Sequence, residues 1–349
     1  MQSLHPIRLE ASLHETIWGG RRLERGEWKK LPPGDIGIGE SWETETSTVA
    51  QNKPYAGRTL GSLVEELGPV LLGEQAIAIF GRRFPLLAKF LDANDKLSVQ
   101  VHPDDTYASL HENGKLGKTE FWYILDADPG ASITHGFEDA PLRSEVERAI
   151  EDVTLEKLLH TESVSRGDII FVPAGTIHAI GAGVLLYELQ EYSDITYRMY
   201  DYGRLTTAGT PRELHIECSL DVTHYERSPH IKMQPLLLPS GAGFQDCCLA
   251  ACRYFVAREL VFQHNGVFYG YMQHEAVRSC KILTSLGAEV TVHYGDDFEY
   301  QEHLVKGQTM VLPAALHDYC IEGEGALLFS YVPGPEDEIL QLWEAENGV

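Results

Sequence analysis

Hydrophobic and polar residues alternate strictly over residues 97–105, which read LSVQVHPDD. Successive side chains of a β-strand point to opposite faces, so the three aliphatic residues share one face while Ser98, Gln100 and His102 share the other. A glutamine and a histidine two residues apart are poor core material, but they suit the wall of a pocket. Pro103 lacks an N–H donor and ends the strand. The pattern therefore predicts a short strand with a polar, pocket-lining face.

Apolar residues recur at helical spacing in two other stretches. Residues 59–80 place Leu60, Leu63 and Val64 on one side of a helix. Residues 141–160 show the same periodicity after a proline, a residue favoured at the start of a helix. We predict helices over both stretches and interpret them as insertions, because the segments around them read as strands.

A buried strand is predicted just before the alternating segment. Residues 84–91 (FPLLAKFL) are almost wholly apolar and carry Lys89, and residues 93–96 have the composition of a turn. A turn of this length joins the strands of a hairpin. We therefore expect Lys89 and Gln100 to lie on neighbouring strands.

A faint internal repeat indicates how the strands are grouped. Residues 167–174 (GDIIFVPA) resemble residues 307–314 (GQTMVLPA), and a histidine follows each copy: His178 in the first and His317, one residue out of register, in the second. Many short strands, few helices and regular turns favour an all-β architecture of jelly-roll or barrel type. Two copies of one β-unit would divide the chain near residues 230–250.

Glu40, Trp42 and Glu43 follow a loop rich in proline and glycine and open another predicted strand. Each of them suits either a structural role or the edge of a pocket. From the sequence alone, we favour the structural role.

Charge narrows the classes of partner. The chain has 349 residues, with 28 basic and 52 acidic side chains and a net charge of −24. Such a chain has no diffuse basic surface for nucleic acid or an anionic membrane, so we expect neither as a partner. An anionic small molecule can still bind where a few basic residues converge, which makes each basic residue near a polar site informative.

The six cysteines fit a reducing compartment. The N-terminal residues lack a basic region followed by an apolar run, and no apolar run is long enough to span a bilayer. We therefore expect a cytoplasmic protein with reduced thiols. Cys248 and Cys252 resemble half of a metal site, but no second pair has matching spacing, so we interpret them as buried structural thiols.

Four residues form a candidate metal site. Gln100 and His102 share a strand face, Glu120 opens the strand EFWYIL, and His178 ends the turn VPAGTIH. Two imidazoles, a carboxylate and an amide oxygen suit Zn²⁺ or a similar divalent ion with positions left open for substrate. A lone histidine such as His135 is more often a core or surface residue, so the prediction depends on the combination.

Several motifs resemble the type I phosphomannose isomerase family in its short bacterial form. They run from near residue 1 to about residue 215 and comprise WGG (18–20), GESWE (39–43), QVHPDD (100–105), GKTEFWY (117–123), VPAGTIHAI (172–180) and YELQEYSDITYRMYDYGR (187–204). The resemblance implies a double cupin, that is, two jelly-roll β-barrels with a few inserted helices. It implies a catalytic unit over residues 1–235 and a second, degenerate cupin over residues 236–349 without a metal site, in which we interpret His317 as structural.

The resemblance also assigns roles to residues. The family's metal ligands fall on the same four residues as above, with one Zn²⁺ per chain and other divalent ions as alternatives. It implies catalytic roles for Arg198, Lys118 and Glu188, and substrate contacts for Ser98, Lys89 and Asp194. Glu188 is the first candidate for the proton-transfer base, with Lys118 and metal-bound hydroxide as alternatives.

Taken alone, some of these residues also fit ordinary structural roles. Lys89 can extend its alkyl chain along a barrel strand, Glu188 and Asp194 can belong to a solvated acidic loop, and Arg198 can pair with Asp194 or Asp201.

The implied activity is the interconversion of mannose 6-phosphate and fructose 6-phosphate through a cis-enediol. One alternative is an isomerase of another aldose, phosphorylated or not, which relative rates on mannose and mannose 6-phosphate would distinguish. Another is a non-catalytic cupin that binds a sugar phosphate. A small-molecule sugar phosphate is the expected partner, and we expect a monomer or homodimer.

Overall fold

The computed structural model describes residues 4–206, 209–227, 232–241, 243–270, 279–316 and 318–347, so His317 lies outside the described residues. Thirteen described strands precede residue 201: β1 (Ile7–Glu10), β2 (Ser12–Gly20), β3 (Ile38–Trp42), β4 (Val49–Ala50), β5 (Leu86–Ala93), β6 (Val99–Val101), β7 (Glu120–Ala127), β8 (Ser132–Phe137), β9 (Leu159–Ser163), β10 (Ile169–Val172), β11 (His178–Ile180), β12 (Val184–Glu191) and β13 (Tyr197–Tyr200). Eight more follow: β14 (Leu236–Leu237), β15 (Phe244–Ala251), β16 (Val256–Gly270), β17 (Lys281–Ser285), β18 (Glu289–Tyr294), β19 (Tyr300–Leu304), β20 (Thr309–Leu312) and β21 (Tyr319–Tyr331).

The helices of the described chain are short. They are α1 (Arg22–Arg25), α2 (Leu60–Leu67), α3 (Pro69–Leu72), α4 (Glu74–Phe80), α5 (Asp105–His111), α6 (Arg143–Glu151), α7 (Ile216–Val222) and α8 (Glu338–Asn347), with a 3₁₀ turn at Leu155–Lys157. Among the described residues, none of these helices has the length and apolar character needed to cross a membrane.

The strands form three antiparallel sheets, which confirms the prediction of an all-β architecture. A five-stranded sheet has the order β13-β6-β11-β8-β9, and a six-stranded sheet has the order β10-β7-β12-β5-β2-β3. A ten-stranded sheet has the order β14-β15-β16-β21-β17-β20-β1-β4, in which β18 also pairs with β21 and β19 pairs with β18.

The buried side chains show that these sheets are stacked in layers. Ile133 and Ile180 of the five-stranded sheet share a cluster with Trp122 and Leu186 of the six-stranded sheet, so these two sheets pack face to face. The opposite face of the six-stranded sheet packs on the ten-stranded sheet, and helices α6 and α7 cover the outer face of the five-stranded sheet. The interior between the two smaller sheets is where polar residues from both can meet.

The predicted hairpin between residues 84–91 and the alternating strand is wrong. Strand β5 pairs with β12 and β3 in the six-stranded sheet, whereas β6 pairs with β11 and β13 in the five-stranded sheet. The chain crosses between the sheets after residue 93, and the Leu97 N–H bonds to the Ile180 carbonyl of β11. Lys89 and Gln100 therefore lie on different sheets, but both line the same interior cavity.

The helix predictions are right in kind and wrong in extent. Residues 60–80 form three short helices because Gly68 and Gly73 take φ of 49° and 85°, a left-handed region open to glycine that interrupts a helix. The helix predicted over 141–160 spans only α6. Val153 follows with φ of 54°, the 3₁₀ turn buries Leu155, and β9 begins at residue 159.

Two strands near the N-terminus belong to the ten-stranded sheet. Strand β1 pairs with β20 on one side and with β4 on the other, so residues 7–10 lie between residues 309–312 and residues 49–50. The division at residues 235 and 236 stays a prediction.

A buried ion pair between Lys29 and Glu43 connects the N-terminal part of the chain to residues 307–309. The Glu43 carboxylate, 1 % exposed, accepts bonds from Lys29 Nζ at 2.7 Å, Ser41 Oγ at 2.7 Å and Thr309 Oγ1 at 3.1 Å, and Lys29 also donates to the Gly307 carbonyl. The structural role favoured for Glu43 agrees with these contacts.

Replacing Glu43 with alanine is expected to lower the free energy of unfolding by about 3–5 kcal/mol, because it leaves a largely buried ammonium without its carboxylate. Equilibrium unfolding in urea measures the loss. Glu66→Ala is the matched control: it removes an exposed carboxylate paired with Arg58, and should cost no more than about 1 kcal/mol. Equal losses in the two variants would contradict the assignment.

Candidate metal centre

His102, Glu120 and His178 come together between the two smaller sheets. Their ligand atoms all lie within 4.8 Å of one another, and each side chain is at most 1 % exposed. His178 Nε2 is 3.4 Å from Glu120 Oε1, and His102 Nε2 is 3.8 Å from Glu120 Oε2. His102 follows β6 and His178 opens β11 in one sheet, whereas Glu120 opens β7 in the facing sheet. This group is called the ligand triad below.

The turn before His178 orients its ring. Gly175 has φ of 86°, and a Cβ there would lie 2.6 Å from the His224 ring, so the tight turn requires glycine. The Gly175 N–H bonds to the His102 carbonyl at 2.8 Å, and His178 Nδ1 donates to the Thr176 carbonyl at 2.8 Å. This contact assigns the proton to Nδ1, so the Nε2 lone pair faces Glu120.

The residues fit a divalent cation. His178 Nε2 and Glu120 Oε1 are buried acceptors without a hydrogen-bond partner among the described residues, an arrangement that is costly unless a cation binds there. Burial lowers the pKa of His178 to about 3, and burial together with Lys118 lowers that of His102 well below its ordinary range. Both imidazoles are therefore neutral, as metal ligands must be. Neutral imidazoles with one carboxylate suit Zn²⁺ and its neighbours.

Gln100, the fourth predicted ligand, lies on β6 directly beside His178 of β11. Its Cα is paired with that of His178 on one side and that of Arg198 on the other, and its side chain lines the cavity. The structure thus places Gln100 next to the ligand triad on the cavity wall.

Two lysines and two carboxylates form a polar network beside the triad. Lys118 Nζ lies 2.6 Å from Glu120 Oε2 and 4.0 Å from Glu188 Oε1. Lys89 Nζ lies 3.1 Å from Glu188 Oε1 and 3.7 Å from Glu40 Oε2. Burial opposes the charge on Lys89, but Glu188 and Glu40 outweigh it and raise its pKa.

The two carboxyl groups near Lys118 differ in pKa. Burial and the charge of Glu188 raise the pKa of Glu120, against the opposing effect of Lys118. Burial also disfavours the ionised form of Glu188, but Lys118 and Lys89 outweigh it and lower the pKa of Glu188. Glu188 is therefore ionised at neutral pH.

The network opens on a cavity of about 360 Å³. Six of the predicted site residues line it: Lys89, Ser98, Gln100, Lys118, Glu188 and Arg198. Lys118 connects this cavity with the ligand triad, because its ammonium contacts Glu120 and also lies 3.1 Å from His102 Nε2.

Asp194 is not brought into the cavity. It lies in the loop between β12 and β13, its side chain is 63 % exposed, and it pairs with Lys115 at 2.7 Å. The solvated acidic loop therefore describes Asp194 better than a substrate contact, and this residue takes no part in the function proposed below.

Several residues that line the cavity were not predicted from the sequence, and Arg212 is the most informative of them. Arg212 lines the cavity with Thr16, Trp18 and Thr196. In a chain of net charge −24, a basic residue is itself a hint of an anion site. Arg212, however, lies in a loop, where no hydrophobic periodicity shows which way its side chain points. Glu40 lines the cavity too, so the structural role favoured for it is incomplete.

Comparison with known proteins finds similarity to phosphomannose isomerases along nearly the whole chain. A family model for the catalytic domain of type I phosphomannose isomerases matches residues 7–123. The chain is 34 % identical to mannose-6-phosphate isomerase ManA of Bacillus subtilis over 337 residues, covering 94 % of this chain and 99 % of that protein. It is 34 % identical to mannose-6-phosphate isomerase of Streptococcus mutans over 330 residues, covering 93 % and 98 %.

Solved structures agree on the fold. The crystal structure of mannose 6-phosphate isomerase from Bacillus subtilis superimposes with a TM-score of 0.80 at 34 % identity, covering 94 % of this chain and 99 % of that one. A phosphomannose isomerase structure from Salmonella typhimurium, at 15 % identity, shares the fold with a TM-score of 0.75 over 95 % of this chain and 100 % of its own. These neighbours confirm the predicted cupin architecture. Identity of this level along nearly the whole length of the relatives places the chain in the type I phosphomannose isomerase family.

Proposed function

We propose that the chain is a metal-dependent isomerase that interconverts mannose 6-phosphate and fructose 6-phosphate. The observation that carries the proposal is the buried ligand triad, whose donor atoms suit a divalent cation. It lies beside a cavity lined by the Glu188 carboxylate and by basic side chains. The names of the relatives support the choice of substrate. A non-catalytic binding protein would not require an acid–base network at the metal site.

Gln100, His102, Glu120 and His178 would hold one divalent ion per chain, with Zn²⁺ as the first candidate. When bound, the ion supplies Lewis-acid chemistry that polarises oxygens of the sugar. The mixed nitrogen and oxygen ligands also suit other divalent ions.

Aldose–ketose isomerisation moves a proton between C1 and C2 through a cis-enediol, and Glu188 is the proposed base. Its two oxygens are held differently: Oε2 accepts from Trp122 Nε1 at 3.1 Å, and Oε1 pairs with Lys89 at 3.1 Å. These contacts fix the orientation of the carboxylate, which a proton-transfer group needs. Lys118, whose Nζ is 4.0 Å from Glu188 Oε1, is the alternative base.

Arg198 is proposed to stabilise the enediolate oxygens. Its guanidinium donates to Ser98 Oγ at 3.3 Å and to the Glu213 carbonyl at 2.9 Å, and its Cα is paired with that of Gln100. A fixed cation one strand from the metal ligands can oppose negative charge as it develops. Ser98 and Lys89 line the same cavity and are the proposed substrate contacts.

We also propose that residues 1–235 form the catalytic unit and residues 236–349 a second, degenerate cupin without a metal site. All the residues assigned above lie before residue 199, in the two smaller sheets or directly beside their strands.

The test is isomerisation by the purified, Zn²⁺-loaded chain. We expect conversion of mannose 6-phosphate to fructose 6-phosphate, loss of activity with a chelator and recovery on adding Zn²⁺. Mannose at the same concentration should react far more slowly. A folded, metal-loaded chain that converts neither sugar phosphate would contradict the proposal, and faster turnover of mannose would favour an isomerase of unphosphorylated sugars.

A further inference from the structure

Positive charge is distributed unevenly around the cavity. Lys89 and Lys118 are each within ion-pair distance of glutamate carboxylates, from Glu188, Glu40 and Glu120. Arg198, in contrast, has no carboxylate within ion-pair distance among the described residues. The lysines are therefore neutralised by their neighbours, and the net positive charge lies on the arginine side of the cavity.

Arg212 adds a second guanidinium on that side. Its Nε donates to Asp201 Oδ2 at 2.8 Å and its Nη2 to Asp201 Oδ1 at 2.5 Å. Asp201 is only 5 % exposed and also binds Arg204 at 2.6 Å. One buried carboxylate thus holds two guanidinium groups, and Asp95 pairs with Arg204 at 3.5 Å, so the cation without a carboxylate partner among the described residues on this side of the cavity is Arg198.

The two arginines of this pair face different surroundings. Arg204 Nη1 donates to the Lys96 carbonyl, and its guanidinium lies over the Tyr202 ring, 5.2 Å from the centroid. Arg212 instead lines the cavity, and its Nη1 makes no hydrogen bond to any described residue. Arg198 Nη2 likewise makes none. Both cavity-lining arginines therefore present free N–H donors.

We propose that Arg212, positioned by Asp201, binds the phosphate group of the substrate beside Arg198 and so selects phosphorylated over unphosphorylated sugars. This inference rests on the proposed function. A planar guanidinium suits a phosphate dianion because its N–H groups match the spacing of two phosphate oxygens. The resemblance to the family implied a substrate contact for Lys89, but the carboxylates of Glu188 and Glu40 beside Lys89 make the arginine side more favourable for a phosphate.

Steady-state kinetics with Arg212→Gln test the inference. We expect KM for mannose 6-phosphate to rise about 30-fold, which corresponds to ~2 kcal/mol, with a much smaller change in kcat. The inhibition constant of inorganic phosphate should rise by a similar factor, and turnover of mannose should fall far less. Arg212→Lys keeps the charge but loses the paired N–H donors of the guanidinium, so its KM should rise by an intermediate factor.

Arg143→Gln is the matched control, because it makes the same change in charge at a residue paired with surface carboxylates of Glu217 and Asp221. It should leave all constants unchanged. Asp201→Asn should raise KM in the same direction as Arg212→Gln, because it releases the positioned guanidinium. A merely structural role of Asp201 would lower the melting temperature without changing the ratio of rates on phosphorylated and free sugar.

Calorimetric titration with inorganic phosphate separates this inference from the proposed function, since it requires no turnover. Weaker phosphate binding in Arg212→Gln than in the wild type and in Arg143→Gln supports the anion site even if the chain fails to isomerise. Unchanged phosphate binding together with an unchanged KM in Arg212→Gln overturns the inference. A fall in kcat alone in that variant overturns it as well.

Discussion

Replacing His178 with alanine is expected to abolish metal binding and to reduce isomerase turnover by roughly 10³-fold, because a Lewis-acid metal contributes several kcal/mol to the stabilisation of developing charge. His178 Nε2 is a buried, unprotonated acceptor directed at Glu120. Among the described residues, His102 is the other imidazole of the ligand triad. Elemental analysis of the purified variant and steady-state kinetics measure the two effects.

His135 provides an unusually close control for this variant. It lies directly opposite His178 on the neighbouring strand, is 2 % exposed, and binds the Phe171 carbonyl through Nε2 at 2.9 Å. His135 is not part of the ligand triad. His135→Ala should therefore lose stability but keep its metal, whereas His178→Ala should lose the metal. A folded His178→Ala variant with stoichiometric metal and full activity would refute the site.

Arg198→Ala is expected to lower kcat by about 10²–10³, the usual cost of removing one donor that stabilises developing negative charge. Arg198 is held by Ser98 and by the Glu213 carbonyl, so its guanidinium is oriented before substrate arrives. Truncation removes a group that acts mainly in the transition state, which is why kcat falls rather than KM alone. Steady-state kinetics and calorimetric binding of mannose 6-phosphate give the required comparison.

Persistent binding without turnover in Arg198→Ala would exclude a purely sugar-binding cupin. The surface variant Arg143→Ala should behave as the wild type. Retention of more than about a tenth of kcat in Arg198→Ala would argue against its role at the enediolate oxygens. The expected contrast with Arg212→Gln, in which KM changes most, distinguishes a residue that acts on the reacting carbons from one that binds the phosphate.

Local patterns were enough to single out the three residues of the ligand triad, because each of them lies at or next to the end of a strand. Alternation before Pro103 placed Gln100 and His102 on one face, and the strand openings at Glu120 and His178 were visible as turns followed by apolar runs. Side-chain direction in a strand depends only on the parity of the position, so these predictions needed no tertiary information.

Long-range pairing was beyond the same reasoning. Alternation specifies which face a side chain occupies but not which strand lies alongside, so the hairpin between residues 84–91 and β6 was predicted where the chain instead crosses to a facing sheet. Arg212 acquires its place through Asp201, and Glu43 meets Thr309 across most of the chain. Neither contact leaves a periodic signal. The chain leaves the helical conformation after α6 at Val153, whose φ is positive, and this turn allows Leu155 to be buried. Such a stop depends on packing with distant residues, which local periodicity does not show.

The pairing of β1 with β20 has a consequence for synthesis on the ribosome. Ile7 pairs with Val311, so β1 is synthesised roughly 300 residues before its partner, about 15–60 s earlier at ordinary rates of translation. During that interval its hydrogen-bonding edge has no native neighbour on the β20 side. The ten-stranded sheet is therefore complete only once residues 309–312 have been made, and fragments that stop before residue 309 would leave β1 as an exposed, aggregation-prone edge.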